Sequence, residues 1–435
     1  MTALPSLQDI ASCVSGYDPN ALPVKQAKAF IDRMVPRVQA VESLAIRSAL
    51  GRVLARDIVS NIDVPTSDNS AMDGYGLCGA DLQSVGETSL LVVGTSLAGV
   101  PFAGTVERGQ AVRIMTGAVM PGGLDTVVPQ EFAQAQSNQV RIPAGVVRTG
   151  DNRRKAGEDL ARGEPALVAG RILRPADLGL LASLGQAEVP VFRRLRVAFF
   201  STGDELRSIG EPLDAGCVYD SNRYTLWGML QRLGVEVIDM GVVRDDPAAL
   251  EQAFLDAADA ADAVITSGGV SVGEADHTKQ VMARLGDVLF WTIAMRPGRP
   301  MAIGRIGQVS STRRDNGNPA ILFGLPGNPV AVMVTFYAFV RDALLAMSGA
   351  QPAPLPMLQA AATSAIRKKP GRTEYQRGIV SRAADGQWQV RITGSQGSGI
   401  LRSMSEANGL VVLQHEQGNV DQGGLVDVLP FDGLI

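Results

Sequence analysis

Between residues 196 and 349 the chain alternates short apolar runs with helix-patterned segments, and this restricts the fold more than any other feature. Apolar runs begin at Val197, Val235, Ala263, Val288, Pro300 and Ala320. Helices are predicted at 222–233, after Asp220 and Ser221, at 247–259, after Asp245-Asp246-Pro247, at 276–285, and from Val330 onward. Such alternation implies a doubly wound, mainly parallel α/β sheet. In open sheets of this kind ligands sit at the carboxyl ends of the strands. Three loops fall there: Ser201-Thr202-Gly203-Asp204-Glu205, Gly268-Gly269-Val270-Ser271-Val272-Gly273, and Gly324-Leu325-Pro326-Gly327-Asn328-Pro329. Gly268 and Gly269 let the backbone turn tightly and bring N–H groups to an anion. Asp204, Glu205, Asp245, Asp246, Glu274 and Asp276 bring carboxylates to the same edge, which together makes a phosphate and metal site. Asp246, before a proline, reads as a helix cap.

The flanking regions have a different texture. Apolar residues Val24, Ala27, Phe30, Ile31 and Met34 predict a helix within a helix-like stretch at 23–55. Residues 61–151 carry short β-rich runs between turns and read as a small β domain inserted into a helical or mixed N-terminal domain, 1–60 plus 152–193. The α/β domain spans 194–350; after Gln351-Pro352-Ala353-Pro354, residues 351–435 suggest a C-terminal β-barrel. A formal charge of −4 argues against nucleic-acid binding. Three widely spaced cysteines fit a reducing cytoplasm, and only two histidines, His277 and His415, exclude a histidine-rich metal centre. A metal here would be a hard, oxygen-ligated ion such as Mg²⁺. No signal peptide is read at the N-terminus, and the apolar stretch at 330–347, broken by Arg341 and Asp342, reads as a buried helix rather than a membrane span.

Six segments in order resemble one family: Asp68-Asn69-Ser70-Ala71-Met72-Asp73-Gly74-Tyr75, Arg113-Ile114-Met115-Thr116-Gly117-Ala118, Arg154-Lys155-Ala156-Gly157-Glu158-Asp159, and the three loops above. The chain resembles the molybdopterin molybdenumtransferases, the MoeA and gephyrin E-domain family, from about Pro23 onward. The resemblance implies a four-part, L-shaped subunit, a homodimer and a cytoplasmic enzyme. It also implies magnesium-dependent insertion of molybdate into adenylylated molybdopterin with release of AMP. The cleft would lie between the α/β domain of one subunit and the inserted β domain of the other. A separate molybdopterin adenylyltransferase would supply the substrate, because no second α/β domain is available to make it.

By the same resemblance Glu205, Asp245 and Asp276 are the functional carboxylates and the Mg²⁺ ligands, and Asp73 is a catalytic or substrate-orienting carboxylate. Thr116 would hydrogen-bond into the cleft. Asp159, behind Arg153, Arg154 and Lys155, is either a site residue or a salt-bridged surface residue. Cations for molybdate and phosphate would come from Arg296 and Arg299, with Lys279 and Arg377 behind them. Ser271, Arg377 and Ser398 match a molybdate pocket, and Pro326 and Pro329 stiffen the loop that shapes the cleft. The chain departs from the family at three positions: Arg296 and Arg299 replace common lysines, and Thr292 replaces another. Arginine keeps the charge but presents a planar fork. Tungstate shares molybdate's shape and charge, so the sequence does not choose between them. Two rival readings stay open, a scaffold that has lost the chemistry and a generic nucleotide phosphohydrolase.

Overall fold

The computed structural model describes residues 6–14, 17–270, 277–307 and 318–432. Six strands make the central sheet: β1 (Arg196–Thr202), β2 (Glu236–Val243), β3 (Ala263–Ser267), β4 (Gly286–Thr292), β5 (Pro300–Ile306) and β6 (Ala320–Leu325). Their order is β2-β1-β3-β6-β5-β4; β2, β1, β3 and β6 pair in parallel, and β5 pairs antiparallel with both β6 and β4, so β5 alone runs against the rest. Helices Ser221–Arg232 and Pro247–Ala260 connect the parallel strands, each started by an aspartate side chain, Asp220 or Asp246, that accepts first-turn N–H bonds. Alternate residues of β1 serve two cores. Val197 and Phe199 join Leu226, Met229 and Leu230 on one face; Ala198 and Phe200 join Leu250 and Phe254 on the other. Burial on both faces is why such strands read as unbroken apolar runs.

The helix expected within 23–55 is shorter, Val24–Met34, with Ala27, Phe30, Ile31 and Met34 buried as the spacing requires. Pro36 ends it, since proline disfavours helical geometry in the residue before it. The helix packs into the α/β core, with Phe30 edge-on to Trp291 at 5.0 Å between ring centres. Strand Val41–Ala45 then pairs with Glu188–Phe192, and these segments share a separate core with helix Pro175–Ser183. The long apolar helical run Pro329–Met347 contributes Val330, Val334, Phe336, Val340 and Met347 to the main core.

Strands Gly74–Leu77, Glu87–Ser96, Gln110–Ile114, Thr126–Pro129, Gln134–Gln136 and Gln139–Pro143 form the sheet of the β insertion. Near the C-terminus, Leu358–Ala362, Thr373–Arg382, Trp388–Ile392, Gly409–Leu413 and Leu425–Pro430 close into a five-stranded barrel, because Thr373–Arg382 pairs with both Trp388–Ile392 and Gly409–Leu413. A short strand, Met295–Arg296, adds to the barrel edge in register with Thr373 and Glu374.

Candidate active site

The carboxyl ends of three parallel strands lie side by side, Ser201 in register with Ser267 and Ser267 with Leu325. The loops leaving them line a cleft of about 920 Å³, which residues 396–398 of the barrel also line. Gly268 and Gly269 have φ of +98° and +65°, which side-chain-bearing residues rarely adopt. A Cβ on Gly268 would stand 2.5 Å from the Thr202 carbonyl oxygen, and one on Gly269 would strike Thr278. The turn therefore needs glycine for both its torsion and its packing. Ser271 and Asp276, with Glu274, lie outside the described residues.

Glu205 and Asp245 line this cleft, and both are exposed. Asp204 takes a structural part, its Oδ1 accepting the Asp245 N–H at 3.3 Å. Asp246 does cap the following helix, accepting the N–H groups of Ala248 and Ala249. Arg296 and Arg299 also line the cleft, both exposed and without an ion pair among the described residues. Pro326, Pro329 and Ser398 complete the group that the loops bring together, and the Ser398 carbonyl accepts the Val330 N–H.

Arg377 stands elsewhere. It is 1% exposed, and its guanidinium donates to the carbonyl oxygens of Ser395, Gln396 and Gly397 and to Ser403 Oγ. It thus holds the loop that presents Ser398. Burial, with Arg296 nearby, pulls its pKa down to about 10, so it remains charged at neutral pH. Thr292 and Lys279 are not among the cleft-lining residues; the Thr292 backbone is tied to Pro19 and Leu22.

Asp73, Thr116 and Asp159 are also absent from this cleft. Asp73 precedes strand Gly74–Leu77 and Thr116 follows Gln110–Ile114, and Gly74 pairs with Ile114. The pairing brings the two together: Asp73 Oδ1 accepts the Thr116 N–H and the Thr116 hydroxyl, both at 2.7 Å. These bonds, the N–H first, hold the Asp73 pKa below the ordinary aspartate value. The Asp159 N–H donates to the Val64 carbonyl, leaving its side chain exposed.

Asn222 was not expected from the sequence. Its Nδ2 donates to Ser267 Oγ at 2.8 Å and to the Gly327 carbonyl at 2.7 Å, tying two of the strand-end loops together. Its position at a helix start, just after the capping Asp220, was the available signal. Thr202, Asn328 and Gln396 likewise line the cleft.

Among the described residues no three carboxylate, histidine or cysteine side chains gather into a ready-made metal cage. Two carboxylates on one open cleft, Glu205 and Asp245, instead suit Mg²⁺, which takes one or two carboxylates and completes its shell with phosphate and water. A second cavity of about 530 Å³ is lined by five arginines, but Arg193 is fork-bonded to Asp262, and Arg52 to Glu42 and the Phe192 carbonyl. Those cations are committed to holding the units together.

Residues 22–185 match the MoeA N-terminal region (domains I and II), 198–346 the family described as "Probable molybdopterin binding domain", and 359–431 the MoeA C-terminal region (domain IV). A molybdopterin molybdenumtransferase of Haemophilus influenzae is 41% identical over 415 residues, covering 95% of this chain and 100% of the relative. One from a Nostoc species is 36% identical over 419 residues, with 93% of each chain covered. Among solved structures, a molybdopterin biosynthesis MoeA protein from Pyrococcus horikoshii superposes with a TM-score of 0.79 at 28% identity, over 95% of this chain and 100% of that one.

Proposed function

The chain belongs to the molybdopterin molybdenumtransferase (MoeA) family, and from that premise we propose that its cleft is where molybdate enters adenylylated molybdopterin and AMP leaves. It is a transferase of molybdenum cofactor biosynthesis. One observation carries the reading: a glycine turn, two carboxylates and two arginines that form no ion pair among the described residues, and Ser398 all line one cleft at the strand ends.

The N–H groups of the Gly268–Gly269 turn meet phosphate oxygens. Arg296 and Arg299 offer planar forks to the oxyanions, and Ser398 adds a hydroxyl. Pro326 and Pro329 keep the facing loop stiff, and Asn222 keeps it in step with the glycine turn. Glu205 and Asp245, with Asp276, would hold Mg²⁺, which neutralises phosphoanhydride charge when bound. Asp73 stays ionised, since its hydrogen bonds favour the charged form, so it suits orientation and electrostatics rather than proton donation.

Asp73 and Thr116 do not line the cleft of their own chain, which supports a homodimer whose second subunit brings them. Three free cysteines fit a cytoplasmic enzyme, and a separate adenylyltransferase would supply its substrate.

The test is AMP release from adenylylated molybdopterin with Mg²⁺, with and without molybdate. Molybdate-dependent release is expected, falling about 100-fold or more in Asp245→Asn. Equal release without molybdate would defeat the reading in favour of simple phosphohydrolysis.

A further inference from the structure

Glu205 and Asp245 reach the cleft from different loops, one leaving β1 and the other leaving β2. Their spacing depends on what ties those loops down. Around Glu205 every carbonyl from Gly203 to Arg207 is bonded. Gly203 accepts the Leu206 N–H at 3.1 Å, Glu205 the Val218 N–H at 2.9 Å and Arg207 the Asp220 N–H at 3.0 Å. The two carbonyls that remain, Asp204 and Leu206, flank Glu205 in the chain. One atom takes both: Arg207 Nη1 donates to them at 2.8 and 2.9 Å.

The brace continues to the second carboxylate. Asp204, gripped at its carbonyl by Arg207, accepts the Asp245 N–H at its own side chain. Asp246 anchors the other side of Asp245 by capping the helix that follows. The segment behind Glu205 is closed by parallel pairing of Leu206–Arg207 with Val218–Tyr219. Arg207 is half-buried along this segment and is not among the residues lining the cleft. It acts on the backbone of the metal-facing residues rather than on a ligand.

Resting on the function above, we propose that Arg207 is a positioning residue for the metal ion: it fixes Glu205 relative to Asp245 and thereby sets the affinity for Mg²⁺. Mg²⁺ demands near-ideal octahedral geometry at short oxygen distances, so carboxylates on a loosened loop hold it poorly. Groups that orient metal ligands from behind typically govern about 10–100-fold in metal affinity. The role needs one nitrogen with two hydrogen bonds. The other end of the fork, Nη2, meets only the exposed Asp214 at 3.5 Å, a contact worth little at a surface. Lysine can therefore serve at this position, whereas methionine keeps the stem and donates nothing.

Wild type, Arg207→Met and Arg207→Lys are compared, with thermal melting to check that each is folded. Mn²⁺, standing in for Mg²⁺, is titrated onto each protein with adenylylated molybdopterin bound and molybdate withheld. Free Mn²⁺ is counted by electron paramagnetic resonance. AMP release with molybdate is then measured against Mg²⁺ concentration. Arg207→Met is expected to hold Mn²⁺ at least about tenfold more weakly and to raise the half-saturating Mg²⁺ concentration in step. Its kcat at saturating Mg²⁺ should stay within about threefold of wild type, and Arg207→Lys should recover metal affinity to within about threefold. A lower melting temperature with Mn²⁺ affinity unchanged would reduce Arg207 to a loop stabiliser and overturn the proposal. So would a loss of kcat with metal affinity intact, or a lysine variant no better than the methionine one. Wild-type protein that neither holds Mn²⁺ nor releases AMP would defeat the underlying function, an outcome distinct from these.

Discussion

Gly268 and Gly327 are neighbours in the cleft and make opposite demands on a side chain. A Cβ on Gly268 would collide with the Thr202 backbone from a left-handed torsion, whereas one on Gly327 would meet nothing nearer than 3.8 Å. Gly268→Ala is therefore expected to cost about 1–3 kcal/mol in thermal or denaturant unfolding and to suppress turnover, while Gly327→Ala stays within about 0.5 kcal/mol. Both glycines were legible as loop residues, but only the three-dimensional approach of the Thr202 carbonyl separates them. Asp177 gives a second residue-scale expectation. It is 3% exposed, and Arg171 Nη2 and the Arg174 N–H donate to it at 2.7 and 2.8 Å. Burial alone would raise its pKa, but the bonds from Arg171 and Arg174 outweigh this and the net shift is downward. A lowered folded-state pKa stabilises above the unfolded value and is lost as pH falls through the folded one. Asp177→Asn should accordingly lower stability by about 2 kcal/mol at neutral pH, and the gap from wild type should close in strongly acidic buffer. Unfolding curves across that range check the sign.

Whole elements account for much of what sequence patterning reads and misreads. The edge strands β2 and β4 are largely half-buried, whereas the apolar runs of β1, β3, β5 and β6 translate into strands that are almost wholly buried, which is legible in composition. Their direction is not: β4 and β5 run antiparallel to their neighbours, and no side-chain pattern distinguishes that from a parallel crossover. Strand Gly409–Leu413 shows the same ambiguity, since Leu410 and Val412 face the main core while Val411 and Leu413 face the barrel's own. Arg377 was legible as a charged residue near an anion pocket but not as a buried clamp, because its carbonyl partners lie 18 to 20 residues away in sequence. Its element-scale consequence is specific. Arg377→Ala should free the loop carrying Ser398 and reduce kcat/KM about 100-fold, and Arg377→Lys should not restore it, since one ammonium cannot replace the fork across three carbonyls. Full rescue by lysine would mean that charge alone matters there.

At the scale of the molecule, the candidate site divides in two. The α/β half was legible because its loops directly follow apolar strand runs, and in an open sheet such loops gather at the carboxyl ends of the strands. The half around Asp73 and Thr116 was legible only as a motif, since nothing in one chain's pattern says which surface it will face. If two protomers share each cleft, inactive Asp73→Asn and inactive Asp245→Asn chains should complement when mixed. Random reassortment makes half the dimers mixed, each with one intact site of two, so about a quarter of wild-type turnover is expected. No recovery after verified subunit exchange would place both residues in one protomer's chemistry. The shared strand Gly409–Leu413 has a mechanical consequence as well. Its alternate side chains are planted in two cores at once, so rocking the barrel against the sheet would have to draw Leu410 and Val412 out of the main core while the barrel's own core holds the strand in place. The frame around the cleft is stiff by construction, and compliance toward an arriving molecule is left to the loops at its rim. Solvent viscosity and crowding should then leave the frame unmoved, and most of the disorder surrendered on binding should come from the rim loops.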